Sequence, residues 1–135
     1  MTTSQQDGTM IDHHAQFDLT HEISDSEQKK PWPSGLYAKT LFKKHDLRIV
    51  LITMEDHARM KEHHADGTIS VQVLQGSLRI NVAGQPHNLS IGNLFTLAAS
   101  IRHDVEAVGN SAFLLTISWP NTDELAAMKH RGYGT

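Results

Sequence analysis

From Tyr37 onward the apolar and polar positions alternate in short runs separated by turn residues, the spacing of half-buried strands. Strands are predicted at 37–42, 47–54, 69–74, 77–82, 87–89, 94–97, 104–107 and 112–119. In the third run Ile69, Val71 and Val73 share one face, because successive side chains of a strand point to opposite sides. The run Leu47 to Met54 is apolar on both faces, as expected of a strand held between an interior and a second layer. Ala83-Gly84-Gln85 reads as a tight turn, Lys43-Lys44-His45-Asp46 as a hairpin turn, and Gly109-Asn110 as a hairpin between the last two strands. Short strands at near-even spacing with glycine turns indicate a barrel or a sandwich.

The two ends break this rhythm. Residues 1–34 are polar without sustained periodicity and read as an N-terminal arm, its first dozen residues expected to be mobile. Phe17, Leu19 and Ile23 predict a short edge strand laid on the main body, and Trp32, between Pro31 and Pro33, is expected to clamp the arm down. After Pro120, Asn121 is placed as a helix N-cap with Glu124 as its capping-box partner; Leu125 to Lys129 follow and Gly132 stops the helix. The expected organisation is an arm over 1–34, one β domain over 35–120, and a short C-terminal helix and tail over 121–135.

Composition narrows the chemistry. A 135-residue chain with 39% hydrophobic residues suits one domain. With no cysteine, disulfides and thiolate catalysis are excluded. A net charge of -3 and no cluster of Lys and Arg argue against a nucleic-acid partner. The N-terminus lacks a secretion signal and no apolar run is long enough to span a membrane, so a cytoplasmic protein without a membrane partner is expected. The unusual count is ten histidines, the commonest metal ligand and the side chain that titrates near neutral pH.

Two segments carry a family signature. His63-His64-Ala65-Asp66-Gly67, followed by Thr68 to Gln75 and Gly76, resembles the first cupin motif, in which histidines precede a strand that ends in a glycine turn. Gly92 to His103 resembles the second, with Gly92, Leu94, Phe95, Leu97 and His103 in place; Ala98, Ser100 and Ala107 stand where the family has Pro, Gly and Asn. The intermotif stretch Ser77 to Ile91 has the length of compact bacterial members of the RmlC-like cupin superfamily. The resemblance implies an all-β fold: a cupin double-stranded β-helix, jelly-roll-like, with an N-terminal arm and a short C-terminal helix.

In metal-binding cupins two histidines and a glutamate of the first motif converge with a histidine of the second. Here Ile69 occupies the glutamate position, so that ligand is missing. One register pairs His63 with Ala65 and the other pairs Glu62 with His64; the candidate ligands are therefore Glu62, His63, His64 and His103, for a divalent metal such as Fe, Mn, Ni or Zn. His57 is an outside candidate. Ile69, Val71 and Val73 imply an apolar pocket wall suited to a small hydrophobic or aromatic ligand. Arg48 and Arg79 lie within strands, where outward salt bridging is expected, although either could meet an anionic ligand. Two functions follow from the resemblance: a metal-dependent cupin enzyme of oxygenase, lyase or isomerase type acting on a small organic molecule, or a metal-free module that binds or senses a small ligand. A homodimer is expected under both, covering the sheet edge and the two-faced strand 47–54.

Overall fold

The computed structural model describes residues 13–119. A nine-residue helix, α1 (Leu19–Glu27), comes first, followed by a short 3-10 turn at Pro33–Gly35. Seven strands follow: β1 (Leu36–Lys43), β2 (Leu47–Met54), β3 (Arg59–His63), β4 (Thr68–Val82), β5 (Gln85–Ser90), β6 (Leu94–Leu97) and β7 (His103–Ser118).

β4 and β7 are the spine. They pair antiparallel from Thr68 opposite Ser118 to Val82 opposite His103, and each bends midway. In β4 the register shifts around Gly76, whose φ of 71° is open mainly to glycine. The halves beyond the bend serve different sheets. One sheet runs β1, β2, the second half of β7, the first half of β4, then β6; the other runs β3, the first half of β7, the second half of β4, then β5. Two sheets that share long bent strands and face one another form the jelly-roll-like cupin barrel. Closure is incomplete: among the described strands β1, β3, β5 and β6 each pair on one side only.

Three sequence expectations are corrected. Gly109-Asn110 does not make a hairpin: Gly109, at φ 83°, bends β7 while both halves stay paired to β4. Asp56 holds that bend, its carboxylate accepting from the Gly109 N–H at 2.7 Å while its own N–H donates to the Asn110 side chain at 3.0 Å. The stretch 69–82 is likewise one strand. At the N-terminus, Leu19 and Ile23 lie on a helix, not an edge strand. Asp18 caps α1 by accepting from the His21 N–H at 3.2 Å, which stabilises a helix by about 1 kcal/mol.

The core lies between the sheets and includes Val50, Ile52 and Met54 of β2, Ile80 of β4, Val105 of β7 and Phe113. The other face of β2 is buried as well. Leu51 and Thr53 are 1% and 2% exposed, and α1 packs on this strand. Trp32 is buried and its indole N–H donates to the Ser26 carbonyl at 2.9 Å, a bond within the arm that joins the end of α1 to the 3-10 turn. The second layer over β2 is therefore the chain's own arm, and the two-faced strand no longer argues for a dimer. The expected C-terminal helix lies outside the described residues. No helix among the described residues is long and apolar enough to cross a membrane.

Candidate functional site

The histidines gather at one end of the sandwich. Residues opposite each other in antiparallel strands put their side chains on the same face. Met60 stands opposite Val105, a core residue, and His63 stands opposite His103, so all four face inward. An irregularity between Met60 and His63 sets this phase. It turns His63 in and leaves Glu62 on the outside, where its carboxylate meets Arg102 at 3.4 Å with both side chains more than half exposed. His64 lies in the following loop, paired with Asp66 at 3.7 Å. Of the four candidate ligands, the structure brings His63 and His103 together and places Glu62 and His64 on the rim. His57, at φ 70°, lies in the turn before β3 beside Asp56, with an 83% exposed side chain.

The two rings have centroids 4.3 Å apart and are tilted by 57°. Each makes the same local bond: His63 Nδ1 to the Lys61 carbonyl at 2.6 Å and His103 Nδ1 to the Ile101 carbonyl at 3.0 Å. A carbonyl oxygen only accepts, so each Nδ1 carries the proton and each Nε2 is left with a lone pair. Burial pushes the His103 imidazole below its ordinary value; the bond to Ile101 opposes this, and nearby His63 and His64 add to the lowering. His103 is 5% exposed. The pair thus turns two Nε2 atoms toward the barrel interior.

Two loops frame this end, joined by a 2.7 Å bond from the Ser100 N–H to the Ala65 carbonyl. Beneath them Ile69, Val71 and Val73 face inward, 4%, 3% and 2% exposed, and belong to the core. Their neighbours are less covered. Leu97 and Ile117 flank Ile69, and Phe95 and Leu115 flank Val71. All four are only partly buried, as are Met60 and Val82 beside the histidines. The apolar interior is therefore sealed around Leu78, Ile80 and Phe113 and accessible at the histidine end.

A resident divalent ion needs three or more protein donors in its usual sites. Among the described residues no three His, Asp or Glu side chains converge to hold one. The Nδ1 bonds of His63 and His103 are of the kind that orients metal-ligating imidazoles, but no carboxylate joins them and Ile69 fills the glutamate position. The described residues do not supply the donor set of a resident metal.

Two facing sheets threaded by long bent strands, with an inward histidine pair at the accessible end, define a cupin barrel. The chain belongs to the AraC-like ligand binding domain family, whose model matches residues 49–129. It is similar in fold to a conserved protein of unknown function from Streptococcus pyogenes, with 23% identity over 83% of this chain and 93% of that one and a TM-score of 0.66. A cupin superfamily protein from Desulfitobacterium hafniense is 18% identical over 67% of this chain and 84% of that one, with a TM-score of 0.63. An RmlC-like cupin from Shewanella frigidimarina is 23% identical over 67% and 82%, with a TM-score of 0.61. No curated protein matches the chain in sequence.

Proposed function

We propose that the domain binds a small, largely apolar organic molecule at the histidine end of the barrel, with His63 and His103 contacting a polar group of that ligand. The observation that carries this reading is the partly buried apolar lining of Leu97, Ile117, Phe95 and Leu115 beside two imidazoles whose Nε2 atoms have no hydrogen-bond partner among the described residues. Apolar walls with a few convergent polar groups are the general make-up of small-molecule sites. Membership of a ligand-binding family supports the same reading. We read the domain as a binding or sensing module, and a homodimer through the unpaired side of β1 is proposed with it.

Calorimetric titration with small aromatic compounds tests the site. Binding that His63→Ala and His103→Ala both weaken supports it; binding that neither variant changes removes the histidines from the reading. The second reading, a metal-dependent enzyme of oxygenase, lyase or isomerase type, rests on the same free Nε2 atoms and lacks a carboxylate ligand. Elemental analysis of protein purified without a histidine tag decides it: stoichiometric Fe, Mn, Ni or Zn, lost in His103→Ala, would establish it over the first.

A further inference from the structure

Arg48 is the residue whose placement the fold leaves unexplained. It stands directly opposite Ile117 in the β2–β7 pairing and shares the phase of Val50, Ile52 and Met54, so it belongs to the inner face of β2. Arg79, by contrast, lies on the outer face and bridges to Glu106 at 3.3 Å, as a strand arginine is expected to do. Arg48 Nε is buried and has no hydrogen-bond partner. Its guanidinium lies 5.5 Å from the centroid of the Trp119 ring, which holds the cation without accepting its N–H groups. Among the described residues no carboxylate pairs with it, and the residue directly opposite on β1 is another cation, Lys43.

A buried guanidinium donor with no acceptor is costly to the fold and needs an explanation. The position supplies one. Leu47 and Arg48 lie at the end of β2 that pairs with Ile117 and Ser118, which is also the end where Leu97 and Ile69 lie. β2 and β3 are joined by the turn at the opposite end, so the open end of β2 stands over the open end of β3, where His63 lies. The accessible apolar lining thus has a cation on one side and a histidine pair on the other.

We propose that Arg48 is a specificity residue that binds the carboxylate of an apolar organic acid entering this end of the barrel. The proposal rests on the ligand-binding reading above and adds the chemical class. Arginine suits the task because its planar fork accepts a carboxylate in two parallel bonds and remains charged at any working pH. The Trp119 ring, 5.5 Å from the guanidinium, limits its freedom before the ligand arrives, so less is lost on binding. A cationic head group would leave the buried N–H unanswered, and a neutral oxygen would accept it without the charge-assisted pair.

The test is calorimetric titration of the full chain with benzoate and with benzyl alcohol, its neutral counterpart, for the wild type and Arg48→Gln, alongside the thermal midpoint of each protein. We expect benzoate to bind about ten-fold or more tighter than benzyl alcohol, the difference made by a charge-assisted pair. Arg48→Gln is expected to bring benzoate down to the level of benzyl alcohol, to leave benzyl alcohol unchanged, and to keep or raise the midpoint. Benzyl alcohol binding as tightly as benzoate to the wild type overturns the carboxylate assignment and leaves the binding site standing. Unchanged benzoate affinity in Arg48→Gln overturns the role of Arg48. A lowered midpoint with unchanged selectivity gives Arg48 to the fold instead. Failure of both compounds to bind the wild type overturns the site reading and the proposal together.

Discussion

His63 and His103 face each other across β3 and β7 with ring centroids 4.3 Å apart, and both donate Nδ1–H to the carbonyl two residues earlier in their own chain. The arrangement disfavours protonation of His103, because burial penalises the charged ring and His63 stands beside it.

That opposition gives a pH dependence with a defined sign. Burial lowers the folded-state value of His103, so below its ordinary value of 6.5 the unfolded chain binds the proton more readily than the fold does. Stability is therefore unaffected by this group above pH 6.5 and falls as the pH drops from there toward the folded value. The slope from one such group is at most about 1.4 kcal/mol per pH unit. Urea unfolding between pH 7.5 and 5.5 should show the decline, and His103→Gln, which cannot titrate, should flatten it. An equal decline in the variant would assign the effect to other histidines.

The site was only partly legible before the structure. Motif register fixes His103 but leaves the first-motif ligands between Glu62, His63 and His64. What separates them is the irregularity between Met60 and His63, one residue of phase that reverses which side chains face inward. A bulge of this kind has no signature in Arg59-Met60-Lys61-Glu62-His63, whose burial barely alternates. Arg48 could have been found: its parity with Val50, Ile52 and Met54 already placed it on the inner face, and the general tendency of strand arginines to point outward obscured that.

The difference between the accessible and sealed parts of the interior can be tested by filling each. Leu97→Trp enlarges a partly buried residue at the histidine end. It should change stability little and abolish binding of any ligand that enters there. Val73→Trp enlarges a side chain that is 2% exposed and packed opposite Phe113, where overpacking costs about 1–3 kcal/mol. Thermal midpoints paired with ligand titration check both. A large loss of stability in Leu97→Trp would show that the lining is closed.

The bends of β4 and β7 depart from the turns their glycines suggest for a physical reason. Gly76 and Gly109 carry positive φ and look like turn residues, but each redirects a strand from one sheet into the other without reversing it. Gly76 is also a close-approach point, since a Cβ there would run into the Asn110 carbonyl oxygen and the Ser111 hydroxyl. Gly76→Ala combines that clash with a left-handed backbone and should destabilise the fold by more than about 2 kcal/mol. Gly84→Ala, at φ 78° with nothing within 4 Å of the added carbon, should cost about 1 kcal/mol, the backbone effect alone. Denaturant midpoints of the two variants should therefore differ; equal losses would mean that the Asn110 contact is relieved by a shift of β7.

The arm over β2 yields the last prediction. Phe17, Leu19 and Ile23 suggested a strand because the first two are spaced by two, yet Leu19 and Ile23 are also a helical i, i+4 pair, and Asp18 caps the segment ahead of Glu22. The helix then lies on β2, where Leu51, Thr53 and Trp32 are all buried. Trp32→Ala removes the indole N–H bond to the Ser26 carbonyl together with the buried apolar area of the ring. Truncating a buried tryptophan typically costs about 3–5 kcal/mol. Release of α1 from β2 should also uncover Leu51, adding exposed apolar surface of the kind that drives association. Sedimentation velocity should show the variant self-associating more strongly than the wild type, and a protease should cut within 19–30 in the variant first. A variant that keeps the wild-type sedimentation coefficient and resists cleavage would show that α1 is held by contacts other than Trp32.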